Sequence, residues 1–130
     1  MSTLSEDTII VSQAKVLLTH GKGRQAESTL RDAIARGADR AEVHGMVGDL
    51  LSRSGRHADA IPELGRACQL ASDSIPYCRS LSSALIGDNR YSVALDFLNA
   101  ELARSVKPPG YHYNVGLAEF GLRLYADVCR

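Results

Sequence analysis

The stretch AEVHGMVGDLLSRSGRHADAIPELGRACQLASDS (residues 41–74) decides the fold of this chain. Its apolar residues recur every three to four positions on both sides of Ser54-Gly55-Arg56, which predicts two amphipathic helices joined by a tight turn. The same pattern recurs before and after this stretch with a period of roughly 34 residues, which is typical of helical solenoids. We therefore expect helix pairs that stack on one another, because one pair cannot bury its apolar face alone.

Equivalent positions in successive blocks hold residues of the same kind. The fifteenth position has residues that tolerate a left-handed helix C-cap, namely Gly21, Gly55 and Asn89. Small residues at the eighth and twentieth positions let two antiparallel helices approach closely, and a leucine at the twenty-fourth fills the space beside them. These columns are Ala14, Gly48, Ser82 and Gly116; Ala26, Ala60, Ala94 and Val128; and Leu30, Leu64 and Leu98. We predict a single helical repeat domain over residues 1–130, with repeats 7–40, 41–74, 75–108 and a partial 109–130.

The turn signals set the expected helix bounds. The helix pairs are predicted at residues 8–20 and 24–36, 41–54 and 57–71, 75–87 and 91–104, and 111–122 followed by a helix starting at 125. Asp73 or Ser74 is expected to cap the fifth helix. Pro62 conflicts with the fourth helix, since proline removes a backbone hydrogen bond. The chain ends partway through the last helix, which suggests a piece of a longer protein; the alternative is a tail that continues the preceding helix as a cap.

Composition excludes several classes of protein. Fifteen basic residues balance fifteen acidic ones, which argues against a general nucleic-acid binder. No stretch approaches the roughly 20 apolar residues of a membrane span, and the acidic N-terminus does not resemble a secretory signal. Cys68, Cys78 and Cys129 are odd in number with no short spacing, so we interpret them as buried reduced thiols in a reducing compartment. We predict a soluble, cytoplasmic protein with no nucleic-acid or membrane partner.

The columns closely resemble the tetratricopeptide repeat. The second block carries the resemblance most clearly, with His44, Val47, Gly48, Leu51, Ala60, Leu64 and Ala67 at the family's packing positions. The chain departs from the family pattern at Gln13, Glu101 and Ser72 (where proline is usual), and it has no tryptophan. The resemblance implies an all-α, right-handed superhelix of antiparallel helix pairs, with three repeats plus a partial fourth. It also implies a protein–protein interaction scaffold and not an enzyme.

In this family the first helix of each repeat lines a concave groove that binds a peptide or partner helix. Carried over by position, the predicted binding residues are Lys15, Met46, Asp49, Arg53, Arg79, Ser83, Tyr113 and Asn114. The basic residues are expected to meet acidic groups of a ligand, and Asn114 to hydrogen-bond a peptide backbone in both directions. The carboxylate clamp of chaperone-binding members is absent in both registers, so a heat-shock-protein tail is not expected as the partner.

Enzymatic and metal sites have weaker support. His44 and His112 occupy the fourth position of their blocks, where we expect them to pack between helices. Gly21-Lys22-Gly23-Arg24 lacks the preceding strand and the spacing of a phosphate-binding loop, so we predict an inter-helix turn. We therefore predict no catalytic, cofactor-binding or metal-binding residues, and no cofactor.

Two alternatives stay open at the level of sequence. In the first, the chain is a domain that regulates, or positions substrate for, a catalytic domain fused to it, and not a free-standing peptide-binding scaffold. In the second, the chain is a self-assembly module whose apolar C-terminal end pairs with a second copy to form a homo-oligomer.

Overall fold

The computed structural model describes residues 4–71 and 75–128, and within these ranges all regular structure is helical. The seven helices are α1 (Leu4–Thr19), α2 (Gly23–Ala35), α3 (Ala41–Arg53), α4 (His57–Leu70), α5 (Ile75–Gly87), α6 (Tyr91–Arg104) and α7 (Pro109–Val128). Short turns join α1 to α2, α3 to α4 and α5 to α6, so each pair is an antiparallel hairpin. The predicted all-α repeat fold is confirmed, and the bounds of the first six helices differ from prediction by at most four residues.

Each hairpin turn contains one residue with a positive backbone φ. These residues are Gly21 (72°), Gly55 (81°) and Asn89 (61°), and they recur at equal spacing along the chain. At Gly55 two backbone hydrogen bonds close the helix end: the N–H of Arg56 donates to the carbonyl of Leu51 (2.9 Å), and that of Gly55 donates to Ser52 (3.0 Å). The same pair of bonds recurs at the other two turns. This is the Schellman arrangement, which requires a left-handed residue and so explains the column of glycine and asparagine.

The core runs through and between the helix pairs, and it includes the small and large columns together with buried residues such as Val43 and Tyr111. Three alanines and three leucines have no exposed surface: Ala26, Ala60, Ala94, Leu30, Leu64 and Leu98. A methyl group added to Gly48 would lie 2.5 Å from Leu64 Cγ, so only a hydrogen atom fits at that point between α3 and α4. Each buried leucine contributes roughly 1.5–3 kcal/mol to stability.

The last helix differs from the prediction. α7 runs without interruption from Pro109 to Val128, whereas the sequence pattern predicts a break after Leu122 and a new helix at Tyr125. The prediction is wrong because Arg123-Leu124-Tyr125-Ala126 contains no glycine, proline or asparagine to start a turn. A methyl group added to Gly116 would meet no described atom within 4 Å, so this face of α7 is uncovered in the described chain.

The corner between α4 and α5 contains a disulfide. Cys68 lies in the last turn of α4 and Cys78 in the first turn of α5, with 2.10 Å between their sulfur atoms and 4.8 Å between their Cα atoms. Both residues are buried. The predicted reduced thiols are therefore wrong for this pair, because folding brings together two cysteines that lie ten positions apart. A cytoplasmic location has no support from these cysteines and stays a prediction.

Pro62 does not end α4, which continues to Leu70. Its side chain lies on the exposed face of the second turn. The backbone carbonyl of Ala58 loses its usual helical donor there, and at this exposed position water can take the donor's place. The helix thus accommodates the proline by leaving one carbonyl to solvent.

Four sequence features lie outside the described residues: the expected caps Asp73 and Ser74, the departure from the family pattern at Ser72, and Cys129. Among the helices of residues 4–71 and 75–128, none combines the length and the apolar character that crossing a membrane requires.

Candidate functional site

The candidate site is an open cavity of about 460 Å³ between α3 and α5, which we call the α3–α5 cavity. Its lining residues are Asp49, Ser52 and Arg53 from α3, and Pro76, Arg79, Ser80 and Ser83 from α5. They lie on equivalent faces of the first helices of two neighbouring hairpins. The fold thereby brings together four of the predicted binding residues: Asp49, Arg53, Arg79 and Ser83.

The cavity contains one partly buried carboxylate and two arginines. Burial raises the pKa of the Asp49 carboxyl, while a hydrogen bond with Ser80 and the positive charge of Arg53 act in the opposite direction. Neither Arg53 nor Arg79 forms an ion pair with another described residue. Guanidinium groups bind carboxylates and phosphates through paired hydrogen bonds. The cavity is therefore suited to an acidic group of a ligand.

Arg79 is positioned by the start of α7. A methyl group on Gly110 would lie 3.1 Å from Arg79 Cδ and 3.2 Å from its Nη1. The absence of a side chain at Gly110 leaves room for the arginine to pass beside α7. Gly110 therefore lies in close contact with Arg79, a proximity that the sequence pattern does not indicate.

Tyr77 extends the site toward α1, and sequence reasoning missed it. Its ring packs so closely on α3 that Gly45 has no room for a methyl group. Burial raises the pKa of the Tyr77 hydroxyl, and the nearby carboxylates of Glu42 and Asp49 raise it further. The sequence signal that could have indicated Tyr77 is Gly45. The equivalent positions in the next two blocks hold the large residues Arg79 and Tyr113, so a glycine there leaves space for a side chain from a neighbouring helix.

Lys15 and Met46 lie on the α1 side and do not line the α3–α5 cavity. Lys15 Nζ is 3.0 Å from Glu42 Oε1, in a pair whose side chains are 61% and 37% exposed. Such an exposed pair contributes at most about 1 kcal/mol to stability, so Lys15 can leave Glu42 and pair with an acidic group of a ligand at little cost. Met46 is partly buried against the core cluster that α1 to α5 form.

Tyr113 and Asn114, adjacent on α7, have different environments. Tyr113 is 68% exposed, whereas Asn114 is 6% exposed. Asn114 Nδ2 donates to Ser82 Oγ (2.9 Å) and Ser83 Oγ (3.1 Å), which ties α7 to α5. The expected two-way hydrogen bonding of Asn114 to a peptide is therefore wrong, because its amide hydrogens are already engaged inside the protein.

The two histidines expected between helices also differ. His44 is buried, and its ring nitrogens lie 2.7 Å from Glu63 Oε2 and 2.9 Å from Asp39 Oδ1. Hydrogen bonds from Arg66 and then from His44 hold the pKa of the Asp39 carboxyl well below its usual range. This network joins the loop before α3 to α4. His112 is exposed, so its predicted packing role is wrong, because no described helix covers its side of α7.

Metal binding has no candidate in the described part of the chain. No group of three or more histidine, cysteine, aspartate or glutamate side chains there could hold a metal ion. Buried side-chain nitrogen and oxygen atoms of the described residues all have hydrogen-bond partners.

Both the sequence and the structure of this chain are similar to known repeat proteins. A family model described as "Tetratricopeptide repeat" matches residues 11–75, which are 65 of the 130 residues. A solved structure titled "MamA RS-1 ArsTM double mutant" is similar with a TM-score of 0.76 and 19% identity, over 90% of this chain and 66% of that one. The structure of YrrB, described as a TPR protein with an unusual peptide-binding site, is similar with a TM-score of 0.73 and 19% identity, over 81% of this chain and 54% of that one.

This chain spans about two thirds of the length of the first structure and about half of the second. At this level of identity the likeness shows the fold. No curated protein matches the sequence.

Proposed function

Because the chain belongs to the tetratricopeptide repeat family, we propose that it is an interaction scaffold that binds an extended peptide or a partner helix. The binding face in this proposal is formed by α3, α5 and α7. One observation carries the proposal: Asp49, Arg53, Arg79 and Ser83 line a single open cavity, although they come from two different hairpins. Stacked repeats offer continuous surfaces of this kind for extended ligands.

The side chains along this face favour a ligand with an acidic group followed by an apolar one. Arg53 and Arg79 supply positive charge in the α3–α5 cavity. Beyond it, Tyr113 and Phe120 on α7 are 68% and 61% exposed, and Leu117 lies between them at 37%. Aromatic and arginine side chains supply most of the binding energy in many interfaces. Peptides with both kinds of group are therefore the expected ligands.

The proposal is tested by selecting peptides from a random displayed library on the immobilised protein and measuring their affinity by fluorescence anisotropy. Arg79→Glu is expected to weaken binding by roughly tenfold or more, because it replaces an attractive charge by a repulsive one. The matched control is Arg36→Glu, which changes an exposed arginine at the end of α2, away from the face. If Arg79→Glu leaves every selected peptide bound as before, the assigned face is wrong.

Self-assembly through α7 is a second candidate function. Tyr113, Phe120, Leu124 and Tyr125 are each more than half exposed along this helix. Contiguous apolar surface of this kind is characteristic of interaction sites. Sedimentation over a concentration series is expected to show association that Phe120→Glu abolishes. A wild-type chain that is monomeric at every concentration excludes this candidate.

A further inference from the structure

Two boundaries between successive repeats contain the same contact, in which a ring packs against a glycine at equivalent positions of the repeat. At the boundary of α4 and α5, the ring of His57 lies against Gly87, where an added methyl group would be 2.7 Å from the ring. At the boundary of α6 and α7, the ring of Tyr91 packs against Gly121 and leaves no room for a methyl group. In both cases an aromatic residue that begins the second helix of a hairpin fills the space beside a glycine of the next helix along the chain, at the same separation in sequence.

The first boundary has the opposite arrangement. The residue equivalent to the aromatic is Gly23, and the residue equivalent to the glycine is Arg53. No ring of a described residue fills the space between α2 and α3 there. A methyl group on Gly23 would meet no described atom within 4 Å, and an open cavity of about 760 Å³ lies there. We call it the Gly23–Arg53 cavity.

Arginines dominate the lining of this cavity. Arg24, Arg53 and Arg56 line it together with a single acidic residue, Glu27. Glu27 is already bound: Arg56 Nη2 is 2.5 Å from its Oε1, and Arg31 Nε is 3.1 Å from its Oε2. Three positive charges and one negative charge in the lining leave a net charge of +2.

Two of these arginines are available to a ligand. Arg24 and Arg53 are both exposed and form no ion pair with another described residue. The carboxylate of Asp49, in the α3–α5 cavity, attracts Arg53 without an ion-pair contact. Arg53 lines both cavities, so a ligand on the binding face can extend into the second one.

We propose that the Gly23–Arg53 cavity binds an oxyanion carried by the peptide ligand, a carboxylate or a phosphate, between Arg24 and Arg53. Planar guanidinium groups match both oxyanions, and two of them from different helices enclose one anion from two sides. This inference rests on the proposed function, since it assigns part of the ligand's chemistry. It adds a site at the boundary of the first two hairpins, outside the predicted groove residues except for Arg53.

The test uses the full chain and a fluorescein-labelled hexaglutamate peptide, with hexaglutamine as the neutral control. In low salt we expect hexaglutamate to bind and hexaglutamine not to bind, with affinity falling as sodium chloride is raised. The decisive variant is Gly23→Tyr with Arg53→Gly, which installs the ring and glycine found at the other two boundaries. It is expected to keep the thermal transition and to weaken hexaglutamate binding by roughly tenfold or more.

Two single substitutions keep the test valid if that double variant does not fold. Arg24→Gln, which removes one of the two unpaired arginines, is expected to weaken hexaglutamate binding severalfold. Arg36→Gln is the matched control, because it removes an exposed arginine from the other end of the same helix. Hexaglutamate that does not bind, or that binds the Arg24→Gln and double variants as it binds the wild type, overturns the inference.

The source of the anion is distinguished by two further probes. A phosphoserine-containing hexapeptide that binds more tightly than hexaglutamate, and is weakened by the same variants, assigns the site to phosphate. Inorganic phosphate that displaces hexaglutamate supports a site for the anion itself.

The outcomes also separate this inference from the proposed function. If library-selected peptides need Arg79 but are indifferent to Arg24→Gln, the cavity assignment fails and the binding face stands. If hexaglutamate needs Arg24 while no selected peptide needs Arg79, the proposed face fails instead.

Discussion

The contact between Gly48 and Leu64 is the most specific packing prediction, and a double-mutant cycle tests it. In Gly48→Ala the new methyl group lies 2.5 Å from Leu64 Cγ and 2.6 Å from its Cδ2. Leu64 has no exposed surface, so it cannot move aside without disturbing other core side chains. In Leu64→Ala these two carbon atoms are absent, and in the double variant the methyl group added at position 48 occupies part of the space that they leave.

The expected energies follow from these contacts. Overpacking costs about 1–3 kcal/mol and alanine in place of glycine returns about 1 kcal/mol of helix propensity, so Gly48→Ala should destabilise by about 1 kcal/mol. Leu64→Ala should cost about 3 kcal/mol through lost burial and a cavity. The double variant should cost about 2–3 kcal/mol, less than the sum, which gives a coupling of about 1–2 kcal/mol.

Urea unfolding followed by circular dichroism measures all four proteins of the cycle. Gly65→Ala is the matched control, because a methyl group there meets no described atom within 4 Å; it should stabilise α4 by about 0.5–1 kcal/mol. If the destabilisation of the double variant equals the sum of the two single effects to within about 0.5 kcal/mol, the close contact between α3 and α4 is refuted.

Three further predictions concern stability. Folding raises the pKa of Asp49, so the folded state holds its proton more tightly than the unfolded state does. The free energy of unfolding therefore falls as the pH rises from 3.8 through the raised pKa. Asp49→Asn should accordingly increase the melting temperature at pH 7 but not at pH 3. Reducing the bond between Cys68 and Cys78, which closes a loop of about 11 residues, should lower the unfolding free energy by about 2–3 kcal/mol, and equal urea midpoints with and without reductant would contradict the cross-link. Asn114→Ala should cost about 1–3 kcal/mol, because it removes the donor to the buried Ser82; an unchanged midpoint would contradict this.

The fold is predictable from the sequence because its requirements are local. A left-handed residue must end each first helix, and glycine or asparagine stands at Gly21, Gly55 and Asn89 for that reason. Close helix contact needs a small residue opposite a large one, and Gly48 with Leu64 shows that requirement in the chain itself. Both requirements recur with the same period along the chain, so the helix register follows from that period.

The features that the sequence did not reveal depend on how separate elements meet. The Cys68–Cys78 bond forms only because the α4–α5 corner brings the two thiols together. The burial of Asn114 depends on the hydroxyl groups that α5 presents to α7. The Gly23–Arg53 cavity becomes visible only when the rings of His57 and Tyr91 show what fills the equivalent space elsewhere.

The most direct test of the binding face is a nuclear magnetic resonance titration of the ¹⁵N-labelled chain with a library-selected peptide. We predict that the largest amide shifts lie on α3, α5 and α7, centred on Asp49, Arg53, Arg79 and Ser83, which line the α3–α5 cavity. Arg79→Glu should raise the peptide concentration needed to produce these shifts by roughly tenfold or more, whereas Arg36→Glu should leave it unchanged. Shifts confined to α2, α4 and α6 would contradict the proposed binding face.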